Sequence, residues 1–169
     1  MIRGRPCTCD PLFTEFEWSD LKSLSHKDLP DRPGVYTLRI ADHPNEASIK
    51  VKQARSLGAD LLSKASWRQL WKHYKPRLAR LEAIDPSTCP VIYIGGTGRG
   101  SGSIKTRFQD LAGWRHTIFF PVFVLLLAGC NIDYGWKTLN TATEAFNYEE
   151  NLKQRYRAIH GRPPALNKA

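Results

Sequence analysis

The stretch VIYIGGTGRGSGSIKTRF, from Val91 to Phe108, joins a short apolar segment to a glycine-rich turn and then to a basic segment. The apolar run, which starts after Pro90, predicts a strand. Ser103 is a suitable N-cap for a helix over the basic segment, because its hydroxyl can accept from a free N–H of the first turn. The turn lacks the Gly-Lys-Ser/Thr ending of a P-loop, and no acidic residue follows at the spacing of a dinucleotide site. The segment therefore predicts a strand–turn–helix unit and leaves its chemistry open.

The other segments predict a mixture of strands and helices. DLPDRPGVYTLRI predicts a turn followed by a strand in which Tyr36, Leu38 and Ile40 share one face. PVFVLLLAG predicts a buried helix, although a fully buried strand fits the same pattern. IDYGWKTL predicts a third strand, and TATEAFNYEENLKQRYRAIH predicts a long helix capped by Thr141 or Thr143. This order of elements indicates an α+β domain around a small sheet.

Residues 44–88 predict a basic helical pair inserted after the first strand. EASIKVKQARSLGADLLSKA predicts one helix, and SWRQLWKHYKPRLARLEAI predicts a second that Pro76 kinks or ends. The insertion holds nine Lys and Arg against four Asp and Glu, so its cations are candidates for contact with a phosphate backbone or are merely solvated. Its aromatic residues at helical spacing are expected to pack on the core. The candidates for nucleic-acid contact are Arg68, Lys72 and Lys75.

Length and charge limit the class of protein. With 169 residues the chain is long enough for one domain with one core. A formal net charge of +9 favours nucleic acid as partner, the alternative being a basic surface kept for solubility. The longest apolar run, Ile118–Cys130, has 13 residues, fewer than the about 20 needed to cross a bilayer, and MIRGRPCTCD lacks the apolar core of a signal peptide. We therefore expect a cytoplasmic protein without membrane contact.

The four cysteines show no spacing typical of a metal site. Cys7 and Cys9 form a Cys-x-Cys pair, whereas Cys89 and Cys130 are isolated. No second Cys or His pair follows at the distance found in zinc sites. We expect a mobile N-terminal pair and two separate buried thiols in a reducing compartment.

The last predicted helix carries one carboxylate beside its apolar face. That face comprises Ala145, Tyr148, Leu152, Tyr156 and Ile159. Glu149 lies about 40° from its edge if each residue turns the helix by about 100°, whereas Glu150 points into water. A carboxylate near the core needs a cation, and the pattern leaves open a metal ion or a salt bridge with Arg107 or Arg155.

These segments together resemble the GIY-YIG nuclease superfamily. GVY at Gly34–Tyr36 and YIG at Tyr93–Gly95 are similar to the two halves of its signature. DLPDRPGVY resembles the entry to the domain in the excinuclease C subunit, SIKTRF resembles the arginine helix, TEAFNYEENLKQRY the glutamate helix, and PPALN the closing segment. The five elements follow the family's order from about residue 29 to the C-terminus.

The resemblance implies a role for each matching residue. Tyr36 and Tyr93 would flank the scissile phosphate, with one of them helping to activate water. Arg107 would bind the phosphate, and Glu149 would hold one divalent cation per site, Mg²⁺ or Mn²⁺. Asn167 would support the site through hydrogen bonds. His116, in WRHT, is either a further phosphate or proton-transfer group or a structural histidine.

Tyrosine is an unusual base because its ordinary pKa is about 10. Half ionisation near pH 8 would require the pKa to fall by about two units, or about 2.7 kcal/mol, which a guanidinium and a bound cation could supply. Without the resemblance, Tyr36 reads as a packed strand residue. The lysine that often follows YIG is absent, because Gly96 and Thr97 stand there; Lys105 is the candidate to replace its charge and to contact nucleic acid.

The sequence thus predicts a single domain over residues 1–169: a small three-stranded, mostly antiparallel sheet flanked by helices. Residues 1–30 form an N-terminal extension in which TEFEWSDLKSL fits one short helix, and residues 44–88 form the insertion. The predicted function is a metal-dependent endonuclease acting on double-stranded or branched DNA, either as a monomer or as a homodimer. The alternatives are a nucleic-acid-binding module with an inactive nuclease fold and a basic structural protein.

Overall fold

Four strands form one antiparallel sheet in the computed structural model, which describes residues 6–64, 71–98, 100 and 102–167. In chain order the strands are β1 (Glu17–Asp20), β2 (Gly34–Ile40), β3 (Val91–Gly96) and β4 (Ile132–Thr138). Their order across the sheet is β1-β4-β2-β3, and every neighbouring pair is antiparallel. The predicted α+β class and the three predicted strands are confirmed.

The fourth strand comes from the segment that was expected to be a short helix, so both that helix and the three-stranded sheet are wrong. β1 pairs with β4, placing Trp18 opposite Gly135. A Cβ on Gly135 would lie 2.7 Å from the Trp18 ring, so the missing side chain gives the indole its place on the sheet. Pairing with a strand more than a hundred residues away overrides a helical pattern that is only local.

Five helices surround the sheet within the described residues. They are α1 (Pro44–Ser63), α2 (Trp71–Leu78), α3 (Ile104–Ala112), α4 (Phe119–Leu127) and α5 (Ala142–His160). The predicted caps are confirmed, because the hydroxyls of Ser103 and Thr141 accept from backbone N–H groups of the first turns of α3 and α5. PVFVLLLAG is a buried helix as expected. No helix among the described residues combines the length and the apolar character that a membrane crossing requires.

The inserted helices pack on α4 through their apolar side chains. Tyr74 stacks on Phe120 with ring centroids 4.8 Å apart, which confirms the expected burial for this aromatic residue. α2 contains Pro76 and ends at Leu78, where a 3₁₀ turn over Ala79–Ala83 begins. Proline lacks the N–H that an α-helix needs at each interior position, so it disfavours a longer helix here. Part of the basic charge of the insertion stabilises the fold, because the Arg55 guanidinium donates two hydrogen bonds to the Leu81 carbonyl.

The opposite face of the sheet is covered by α5 and by the N-terminal segment. Phe13 and Phe16 are buried against Leu152 and Tyr156 of α5. The apolar stripe of α5 is confirmed except at its end, where Ile159 is 41% exposed. The N-terminal segment therefore belongs to the core.

The cysteine expectation is wrong in one respect. All four cysteines are free thiols, and Cys130 is buried by itself as expected, but Cys7 and Cys9 are not a separate pair. The Cys9 Sγ lies 3.7 Å from the Cys89 Sγ. The N-terminal segment folds back over the start of β3 and brings these thiols together.

Candidate active site

The pairing of β2 with β3 places Tyr36 and Tyr93 on one face of the sheet. Leu38 lies opposite Tyr93, and Tyr36 lies opposite Gly95. Because residues two apart on a strand share a face, Tyr36 and Tyr93 are diagonal neighbours, and their ring centroids are 5.8 Å apart. Two residues distant in the chain thus become a pair through strand register alone.

The glycine of YIG makes room for both rings. A Cβ on Gly95 would lie 2.6 Å from Tyr93 Cε1 and 2.9 Å from Tyr36 Cζ. Real Cβ atoms do not come that close, so any larger residue would push the tyrosines apart. The glycine is therefore a packing requirement of the pair.

His116 contacts Tyr36 from the loop between α3 and α4. Its Nε2 lies 2.5 Å from the Tyr36 Oη, and the Ile118 N–H donates to its Nδ1 at 3.2 Å. Since Nδ1 accepts, the proton of the neutral imidazole sits on Nε2, and Nε2–H donates to the tyrosine oxygen. Burial, and secondarily the positive charge of Arg107, lowers the pKa of His116 to about 4, so the ring is neutral at pH 7.

The tyrosine pKa values shift in the direction opposite to the one that would ionise a tyrosine near neutral pH. Burial raises the pKa of Tyr36 well above its ordinary value, and the neighbouring tyrosines Tyr93 and Tyr134 add to the rise, whereas Arg107 opposes it. Burial also raises the pKa of Tyr93, with a hydrogen bond to Tyr36 opposing it. The expected lowering is not present in the free protein, and both hydroxyls are protonated at neutral pH.

Arg107 reaches the same place from the second turn of α3. Its Nη1 lies 3.4 Å from an Asp110 carboxylate oxygen, a distance at the long end for a hydrogen bond. Its Nε is buried and has no hydrogen-bond partner among the described residues. A buried donor left unpaired is energetically unfavourable, so the guanidinium has capacity to bind an anion.

Glu149 projects from α5 toward the end of β3. Its carboxylate is 13% exposed and pairs with Lys153 at 2.5 Å, so the cation in this ion pair is Lys153 and not one of the two arginines left open from the sequence. A Cβ on Gly96 would lie 2.3 Å from Glu149 Oε2. The carboxylate thus occupies the space that a side chain at position 96 would fill.

These side chains line one open cavity of about 450 Å³. Its lining includes Tyr36, Tyr93, Gly96, Arg107, His116 and Glu149. Arg115 and Lys153 add positive charge, and Glu150 adds a second carboxylate. The cavity therefore combines three cations and two carboxylates with two tyrosine rings and a neutral imidazole.

Two of the cavity cations were missed from the sequence. Lys153 is four residues after Glu149, a spacing at which side chains on a helix meet, and this signal was available. Arg115 is next to His116, but no motif or spacing in the sequence marks it as a site residue. Lys105 is absent from the described lining of the cavity, and its backbone N–H donates to the Pro30 carbonyl at 3.2 Å; its contact with nucleic acid stays a prediction.

Asn167 supports β3 from outside the cavity. Its Oδ1 accepts from the Ile94 N–H at 3.0 Å, and its Nδ2 donates to the Ile94 carbonyl at 2.7 Å. The neighbouring Leu166 N–H donates to Ile92 at 2.9 Å. The tail thus pairs with the free edge of β3, so Asn167 positions the strand that carries Tyr93 and does not line the cavity.

The remaining candidates for nucleic-acid contact lie on the insertion. Lys75 is exposed on α2. Arg68 and the side chain of Lys72 lie outside the described residues. Lys75 is not among the described residues that line the cavity.

The donor set fits a hard divalent cation. Mg²⁺ prefers carboxylate oxygen, keeps several water ligands and needs only one or two carboxylates. The Glu149 carboxylate lines a cavity that is large enough for water, and a metal ion would have to displace Lys153 from it. Glu149 would be the ligand, with Glu150 on the same helix turn as a second oxygen donor nearby.

No protein-family model matches this chain, and neither a curated protein nor a solved structure matches it.

Proposed function

We propose that the protein is a metal-dependent endonuclease that hydrolyses phosphodiester bonds in DNA. The observation that carries the proposal is the convergence of five chemically suitable side chains on one cavity. They are Tyr36, Tyr93, Arg107, His116 and Glu149. They come from β2, β3, α3, the following loop and α5, so local sequence does not bring them together.

The cavity suits a phosphodiester because three cationic side chains line it. Arg107 offers a buried Nε–H without a partner among the described residues, and a guanidinium can bind two phosphate oxygens at once. Arg115 and Lys153 line the same space. This group would bind the phosphate and stabilise the charge that grows on its oxygens during attack.

Tyr36 would orient the attacking water. Its oxygen accepts from His116 Nε2–H, and a second lone pair remains to accept from water. The proton of the attacking water would pass to bulk water through the open cavity, because Tyr36 is already protonated and the remaining lone pair of the neutral His116 accepts from the Ile118 N–H. Tyr36 and the imidazole would hold the water in a fixed hydrogen-bond chain at the site of attack. Arg107 would stabilise the negative charge that develops on the phosphate.

Glu149 would hold the divalent cation, which supplies further positive charge to the phosphate and to its leaving oxygen. Lys153 holds the carboxylate in place at 2.5 Å in the free protein. The packing of Glu149 against Gly96 holds the carboxylate at the end of β3.

A nucleic-acid-binding module without catalysis is the second candidate. The observation that favours it is the close pair between Glu149 and Lys153, because a carboxylate neutralised by its own helix need not bind a metal ion. Such a protein would use the same cations to bind a phosphate backbone but would leave it intact.

A plasmid-nicking assay with and without Mg²⁺ or Mn²⁺ separates the two candidates. For an enzyme, Glu149→Gln and Arg107→Ala should each reduce cleavage by about 100-fold or more while DNA binding persists. Arg155→Ala is the matched control, because Arg155 is an exposed arginine of α5 outside the cavity. If the wild type binds DNA but leaves it intact with every divalent cation, the binding module is correct.

The products also report on assembly. A monomer with one cavity should produce nicked circles first, whereas a homodimer acting on both strands should produce linear DNA directly. Light scattering of the purified protein gives the oligomeric state independently.

A further inference from the structure

Four metal-binding atoms converge on the side of the domain formed by the N-terminal segment. The Sγ atoms of Cys7 and Cys9 are 3.4 Å apart, and those of Cys9 and Cys89 are 3.7 Å apart. His160 Nε2 lies 3.7 Å from Cys7 Sγ. All four atoms lie within 4.8 Å of one another.

These distances are close to those in a tetrahedral zinc site. Zn–S bonds of about 2.3 Å and a Zn–N bond of about 2.0–2.1 Å place ligand atoms about 3.6–3.8 Å apart in a tetrahedron. Three cysteines and one histidine are a common structural zinc set, and soft thiolates select zinc over Mg²⁺ or Ca²⁺. The cluster differs chemically from the carboxylate that faces the cavity.

The residues that carry the cluster are held by contacts outside it. The Cys7 N–H donates to the Asp10 carboxylate at 2.9 Å, and the same carboxylate pairs with Arg39 at 2.7 Å. Arg39 is completely buried in β2. The N-terminal segment is therefore attached to the centre of the sheet, and its two thiols are placed before any metal binds.

Tyr156 supports two of the ligands from α5. Its O–H donates to the Cys89 Sγ at 3.3 Å, and its ring centroid lies 4.5 Å from that of His160. Contacts of this kind orient metal ligands from the second layer around a site. Cys9 and Cys89 are both buried, so solvent has little access to the centre.

We propose a structural Zn²⁺ site whose four ligands are Cys7, Cys9, Cys89 and His160. Because four protein atoms complete a tetrahedron, no position remains for a substrate, and the role is to stabilise the fold. The ion would join the N-terminal segment, Cys89 just ahead of β3 and the last residue of α5. It would thereby hold α5 against the sheet, whether or not the cavity is catalytic.

The first test is metal analysis of the full chain, purified in reductant from cells grown with added zinc and without chelators. We expect about one zinc per chain by mass spectrometry of the metal. Replacement by Co²⁺ should give thiolate-to-cobalt charge-transfer absorption and the strong visible bands of tetrahedral cobalt. Wild type that holds no zinc, gives no such spectrum with Co²⁺ and reacts with a thiol reagent at four free cysteines would overturn the proposal.

Variants identify the ligands. Cys89→Ser and His160→Ala should lose most of the bound zinc, whereas Cys130→Ser, which removes a buried thiol far from the cluster, should retain it. His160→Cys should keep the metal and shift the cobalt absorption toward that of four thiolates, which a variant that simply misfolds cannot do. Zinc retained fully in Cys89→Ser, or a Cys9–Cys89 disulfide in place of metal, would contradict the assignment.

Discussion

The buried, neutral His116 should make folding stability depend on pH in a measurable way. Its ordinary pKa is 6.5 and the folded protein lowers it to about 4. Between these values the unfolded chain binds a proton at this residue and the native protein does not, so the free energy of unfolding falls as the pH is lowered from 6.5 to 4. At about 1.4 kcal/mol per pH unit the loss amounts to about 3 kcal/mol.

The assay is urea unfolding followed by circular dichroism at several pH values from 4 to 7. His116→Gln keeps an N–H donor for Tyr36 but cannot titrate, so its stability should fall by about 3 kcal/mol less over this range. His43→Gln is the matched control, because His43 is exposed and its side chain makes no cap hydrogen bond; it should follow the wild type. Equal pH slopes for wild type and His116→Gln would refute the assignment of a buried neutral imidazole.

Three further changes test the geometry around the cavity. Gly96→Ala places a Cβ 2.3 Å from Glu149 Oε2, so it should abolish Mg²⁺-dependent nicking and destabilise the fold by about 1–3 kcal/mol; full activity would show that the position of this carboxylate is unimportant. Lys153→Met removes the cation that competes for Glu149, so calorimetry should show tighter Mn²⁺ binding, and an unchanged or weaker affinity would contradict this competition. Asn167→Ala removes both hydrogen bonds to Ile94 and should lower the free energy of unfolding by about 1–3 kcal/mol, whereas a loss near zero in denaturant titration would mean that water replaces them.

The helices and the strands β2, β3 and β4 were predictable because their signals are local. The alternation in GVYTLRI, the apolar run before Gly95 and the caps Ser103 and Thr141 act over a few residues each. The resemblance added the expectation that Tyr36 and Tyr93 form a pair, and the strand register brings their rings to 5.8 Å. For these features the pattern in the chain and the physical cause of the structure are the same.

The edge strand β1 was not predictable from local signals. The segment around Trp18 contains a helix-compatible pattern, but β4 offers a free edge and Gly135 leaves space for the indole. The choice between helix and strand at this position depends on a partner far along the chain. No property of the segment's own residues carries that information.

Local periodicity and capping in the amino-acid sequence were sufficient to give the α+β class and most of its elements, whereas the residues expected to bind a phosphate came from the resemblance. The folded chain alone establishes that Lys153 neutralises Glu149, that burial raises the tyrosine pKa values, and that Cys7, Cys9 and Cys89 meet His160. Hydrogen bonding within a turn or a helix is a short-range property of neighbours. Strand pairing, charge pairing, desolvation and metal coordination depend on distances in space, which exist only after the chain has folded.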